Sequence, residues 1–176
     1  MINPLFFTAI CHFFIGEDFS SRTINHLIIK FSRSKIFCYK SVSIFFYSLF
    51  FIFYVYAIMI LLSYILFSYI NFNLMFKTLL YQLPYYLGVI SLCIFIFNYF
   101  DKIVQAFVMY VILAISFDDL CLYVFGNVVE PESIEKVLLF YQLKNIDLDK
   151  PFFSLSLGIV IMFIFTFLSL SYFLFN

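Results

Sequence analysis

No side chain between Lys40 and Lys77 carries a formal charge. A second uncharged run extends from Thr78 to Phe100, and a third from Pro151 to Asn176. Such runs match what a bilayer's hydrocarbon core accommodates, a helix of roughly 20 apolar residues. Composition leads the same way: 65% of residues are hydrophobic, only 11% are charged, and the mean hydropathy is +1.09. Soluble domains are about a quarter charged. A chain of 176 residues cannot hide this much apolar surface in one aqueous core. Its main solvent is lipid.

In lipid every backbone polar group needs an internal partner, so each span must be helical. The 29 Phe and 14 Tyr would favour strands in water. Long uncharged runs without alternation, however, are unlike the strands of a membrane barrel. The expected fold is therefore all-α, a polytopic transmembrane helical bundle with four full spans plus a partial N-terminal span. The spans are expected at 42–70, 78–100, 103–125 and 151–175. Asn71 and Asn73 break the first, and Pro84 suits the opening of the second. Asp101 and Lys102 make a brief charged turn before the third, which reaches full length only by including Asp118 and Asp119.

The first fifteen residues, Met1 to Ile15, are apolar but short for a span. No Lys or Arg precedes them, so they do not read as a signal peptide. They form either a buried half-helix or the tail of a span whose beginning lies elsewhere.

Five of the ten Lys and Arg fall between Gly16 and Ser41, in GEDFSSRTINHLIIKFSRSKIFCYKS. Placing this segment in the cytoplasm satisfies the positive-inside rule. The inner side then holds Arg22, Lys30, Arg33, Lys35, Lys40 and Lys102, and the outer side Lys77, Lys136, Lys144 and Lys150. The N-terminal segment and the C terminus are cytoplasmic in this topology, and residues 118–150 form an acidic outer loop.

From Ser20 onward the segment has a helical stripe: Ile24, Leu27, Ile28 and Phe31 fall at i, i+3, i+4 and i+7. Ser20 or Ser21 can cap its start, and Glu17 and Asp18 suit the helix dipole there. Two readings follow. One is an interfacial helix with basic residues among lipid headgroups. The other is a cytoplasmic coupling element, residues 16–41, that docks on a partner.

These residues resemble the loop between the second and third spans of ABC-2-type transporter permeases. Those loops carry an acidic residue after an apolar helix, a Gly-Thr-like pair, an apolar step, a Ser-Arg pair and a Lys opening the next span. The matching positions are Glu17, Arg22–Thr23, Leu27, Ser32–Arg33 and Lys40. Arg22 stands where the family has a small Gly, and Phe31 or Ser32 where it commonly has Pro. The later order is also similar: a span, a two-span hairpin with a short inner turn, a long outer loop and a final span. The resemblance implies a six-span subunit of which this chain corresponds to the second half of span two onward, either a shortened gene or a fragment. It implies two partners besides the lipid bilayer, an ATP-binding cassette subunit and a second membrane subunit. It also implies that Glu17, Arg22, Ile24, Leu27, Ile28, Phe31 and Arg33 meet the ATPase.

The chain itself shows little covalent chemistry. Its four glycines open no phosphate-binding GxxxxGK[ST] loop, so any ATP hydrolysis belongs to a separate subunit. His12 and His26 lack the clustered Cys and carboxylates of a metal site, and no cofactor is expected. The four Cys form no CxxC pair. A formal net charge of zero names no acidic partner, nucleic acid included. The middles of the uncharged blocks hold no ionisable acid or base, which argues against proton-coupled transport and intramembrane hydrolysis. Asn98 and Gln105 flank the inner turn and can bond between helices. In the outer loop, Ile134, Val137, Leu138 and Tyr141 predict a helix over Pro131–Leu143 that lies on or dips into the outer leaflet. The expected function is a permease subunit of an ATP-driven ABC-2-type exporter. The rival reading is a non-transporting membrane anchor, immunity or assembly protein.

Overall fold

A computed structural model describes residues 6–16, 32–67, 71–100, 102–125, 138–144 and 155–175. The described residues are helical, without strands. Helix α1 spans Phe6–Cys11 and continues into one wide π-type turn at His12–Gly16. Then follow α2 (Arg33–Phe67), α3 (Phe72–Tyr99), α4 (Ile103–Phe125), α5 (Leu139–Lys144) and α6 (Leu155–Phe175).

Among the described residues, three helices are long and apolar enough to cross a membrane: α2, α3 and α6. The expected fourth span, α4, has 23 residues, of which Ile103–Ser116 form an apolar stretch shorter than a full span among the described residues. Asp118 and Asp119 lie inside the helix, near its far end. The partial span is likewise short, with its apolar helix covering Phe6–Ile15.

Helix boundaries follow local hydrogen bonding. The Ser32 carbonyl accepts from the Lys35 and Ile36 amides at 3.0 and 3.2 Å, which starts α2 at Arg33, well before the expected Val42. At 35 residues and ~1.5 Å rise each, α2 exceeds the thickness of a hydrocarbon core. The Asn71 side chain caps α3 by accepting from the Leu74 amide at 3.1 Å. The helix therefore begins at Phe72, and Pro84 lies within it instead of opening it. Packed neighbours and local adjustments re-satisfy the backbone around such a proline in a membrane helix.

Contacts fix the relative directions. Phe95 meets Phe167 and Asn98 meets Ser171, so α6 runs parallel to α3; Phe6 meets Phe51 and Phe14 meets Tyr47, so α1 runs antiparallel to α2 and hence parallel to α3. Tyr56 meets Gln82 and Phe37 meets Tyr172, so α2 runs antiparallel to α3 and α6. One end of the bundle thus gathers the end of α1, the start of α2, the turn between α3 and α4, and the end of α6. Arg33, Lys35, Lys40 and Lys102 are at this end. Helix α3 is the hub and packs against all the other elements.

Candidate functional site

Four places along α3 depart from plain hydrocarbon packing. The first joins α2 to α3. Position 56 ends a buried stripe on α2 that runs Phe37, Ser41, Ile44, Ser48, Ile52, Tyr56. The Tyr56 hydroxyl donates to the Gln82 side-chain oxygen, and so does the Tyr86 hydroxyl, at 3.3 Å. All three side chains are buried, and the Phe7 ring meets Tyr86 edge-on with centroids 5.9 Å apart. The amide sits one helical turn before Tyr86, so both groups face α2 and α1 together.

The second place is the basic end. Asn98 donates to Ser171 Oγ at 2.7 Å and to its own helix at the Ile94 carbonyl, 2.9 Å. Ser34 Oγ and Tyr172 Oη lie 3.0 Å apart, and Phe37 contacts the Tyr172 and Phe175 rings at 5.7 Å each. These bonds tie α3 and the start of α2 to the end of α6. Asn98 bonds between helices as its position suggested, while Gln105 is exposed.

The third place is Gly88, near the midpoint of α3. A Cβ at this position would come within 2.8 Å of Leu139 Cδ1 and 3.2 Å of Val160 Cγ1. Leu138, Leu139, Phe140 and Leu143 are all buried, and the Phe140 ring meets Tyr110 of α4 at 6.5 Å. Helix α5 therefore packs against α3 and α4. Of the predicted stripe, Leu138 is buried and Tyr141 half-buried, while Ile134 and Val137 lie outside the described residues. With glycine at position 88, the Leu139 and Val160 side chains sit closer to α3 than a Cβ there would allow without their shifting.

The fourth is a thiol pair. Cys11 of α1 and Cys93 of α3 are both fully buried in one apolar cluster that also holds Tyr110. Cys38 is exposed and Cys121 half-buried.

Arg33 is exposed at the first residue of α2. The other residues expected to meet an ATPase, Glu17, Arg22, Ile24, Leu27, Ile28 and Phe31, lie outside the described residues, and so does His26. His12 is exposed in the π-type turn. No group of three metal-ligating side chains occurs among the described residues. Asp118 is buried on α4, where the sequence placed it at the outer edge of a span. The arrangement suits helix clasping and close packing, and offers no paired nucleophile and base among these four places.

Sequence reading did not single out Gln82, Gly88 or the Cys11–Cys93 pair. The signal was present in α3, where Gln82, Gly88, Ser91 and Asn98 interrupt an otherwise apolar helix. Polar and small residues of this kind mark helix–helix contacts in lipid. No family model, curated protein or solved structure matches this chain.

Proposed function

We propose that this chain is a multi-pass permease subunit of an ATP-driven ABC-2-type exporter in the cell membrane. ATP is hydrolysed on a separate ATP-binding cassette subunit, and a second membrane subunit completes the pathway. The observation that carries the reading is the order of elements leading away from the basic segment. A half-length helix ends beside the start of a long one, a tight two-helix hairpin follows, then a buried short helix and a final helix. All the helix ends next to the basic residues lie together, which suits one cytoplasmic face under the positive-inside rule. On this reading the N-terminal segment and the C terminus are cytoplasmic. The stripe Ile24, Leu27, Ile28 and Phe31 then carries ATPase motion to α2, with Glu17, Arg22 and Arg33 setting its orientation. Buried α5 closes the outer side of the pathway.

Burying a Leu or Phe contributes roughly 1.5–3 kcal/mol, against roughly 0–1 kcal/mol for an exposed ion pair. The apolar stripe therefore dominates any docking. The test is co-purification with the ATPase encoded nearest to this chain. Leu27→Asp should abolish complex formation and stimulated ATP hydrolysis, while Lys30→Gln has little effect. An intact, stimulated complex with Leu27→Asp would remove the coupling role and with it the exporter reading. The rival reading, a non-transporting anchor or immunity protein, draws on the closely filled interior around Gly88. It expects no ATPase partner for either variant.

A further inference from the structure

The exporter reading leaves the outward face of α2 without a role. That face is one stripe: Lys35, Tyr39, Val42, Phe46 and Phe50 follow one another at spacings of three or four, and all are exposed. It lies across the helix from the buried stripe of Phe37, Ile44, Ser48 and Ile52. A cation heads the outward stripe, a phenol follows one turn below, and apolar side chains continue from there. From Tyr39 to Phe50 the axis advances about 16 Å, close to half of a ~30 Å hydrocarbon core. Tyrosine favours the headgroup level, where one end of its ring is wet and the other apolar. The fold adds positive charge around the head of the stripe. Arg33, Lys40 and Lys102 are at the same end of the bundle, and no acid stands there among the described residues.

We propose that this face binds an anionic glycerophospholipid. Its phosphate meets the Lys35 ammonium and accepts from the Tyr39 hydroxyl, and one acyl chain lies along Val42, Phe46 and Phe50. Charge complementarity selects this occupant, because basic residues at the end of a membrane helix attract anionic headgroups. A zwitterionic lipid would bring its own cation beside the four already there. A second copy of the chain in the same bilayer would meet this face in parallel and set Lys35 against Lys35, a like-charge contact that disfavours such pairing. The site depends on the membrane reading alone and holds with or without an ATPase partner.

The test uses the full chain, which has no native Trp, reconstituted into phosphatidylcholine vesicles. Phe46→Trp places a reporter on the stripe. Phe165→Trp places one on α6, a helix without Lys or Arg, at a position 69% exposed. Quenching of each is measured with equal mole fractions of phosphatidylglycerol or phosphatidylcholine brominated in the acyl chains. At position 46 the phosphatidylglycerol should bind about five-fold more strongly, the factor for one cation near an anionic headgroup. At position 165 the two lipids should bind equally. Lys35→Gln should bring the ratio at position 46 close to one, and Lys35→Arg should preserve it. A ratio near one at position 46 in the parent would overturn the proposal. So would equal preference at both positions, which is attraction by the charged end as a whole. A preference that survives Lys35→Gln, or is lost in Lys35→Arg, would also overturn it. Failure of both lipids to quench position 46 would do the same, since a protein surface such as a second copy then covers the face.

Discussion

Helices α2 and α3 are sequence neighbours, both long and both apolar, yet they occupy opposite environments. In the most apolar stretch of α2, 11% of residues are buried, against 61% in α3. The more apolar helix is the exposed one. Water would reverse this order, because burial there is driven by removing apolar surface from solvent. In lipid that drive between helices disappears, and what remains is close packing and interhelical hydrogen bonding. Helix α3 offers both, with Gly88 admitting α5, Gln82 receiving two tyrosine hydroxyls and Asn98 reaching Ser171. Helix α2 offers one narrow stripe and turns Phe46, Phe50, Phe53 and Tyr54 outward.

The contrast breaks most easily at Gly88. Gly88→Val should destabilise the bundle by about 1–3 kcal/mol, the range for overpacked cores, read as a shift in unfolding by a mixed-micelle denaturant. Combining it with Leu139→Ala should restore part of the loss by returning space to the same contact. Gly158→Ala in α6, where a new Cβ meets nothing within 4 Å, should shift stability by less than about 0.5 kcal/mol. Equal losses at positions 88 and 158 would mean that α5 is not seated as described.

A smaller effect is expected at the clasp. Gln82→Leu removes the acceptor for both Tyr56 and Tyr86 and should cost about 1 kcal/mol, near the range of hydrogen bonds between membrane helices. Tyr86→Phe removes one of the two bonds and should cost less. If both variants match the parent in unfolding, packing alone joins α2 to α3. The smallest effect is expected on the outer face of α2. Phe50→Leu exchanges one lipid-facing apolar side chain for another and should change stability by less than about 0.5 kcal/mol.

The sequence disclosed helical class and lipid solvent because uncharged runs admit few alternatives. It placed the break between α3 and α4 near Asp101–Lys102 and suggested the interhelical role of Asn98. Boundaries were less legible. The start of α2 depends on the Ser32 carbonyl and that of α3 on the Asn71 cap, and both are local bonds that hydropathy does not register. Pro84 misled because its missing N–H is as tolerable within a packed membrane helix as at a helix start. The fourth span illustrates a related ambiguity, since α4 continues through Asp118 and Asp119 beyond the Ile103–Ser116 apolar stretch. The seating of α5 was legible only as an amphipathic stripe. Which surface covers that stripe is decided by Gly88, 51 residues before Leu139 in the chain.

The chain contains no Trp, so a single introduced indole reports one position without background. Phe50→Trp on α2 and Ile90→Trp on α3 replace a side chain 67% exposed and one with no exposure. Both proteins are reconstituted into vesicles of lipid brominated along the acyl chain, whose bromine quenches an indole on contact. Strong quenching at position 50 and weak quenching at position 90 is the predicted result. Equal quenching at both, or stronger quenching at position 90, would contradict a bundle organised around α3.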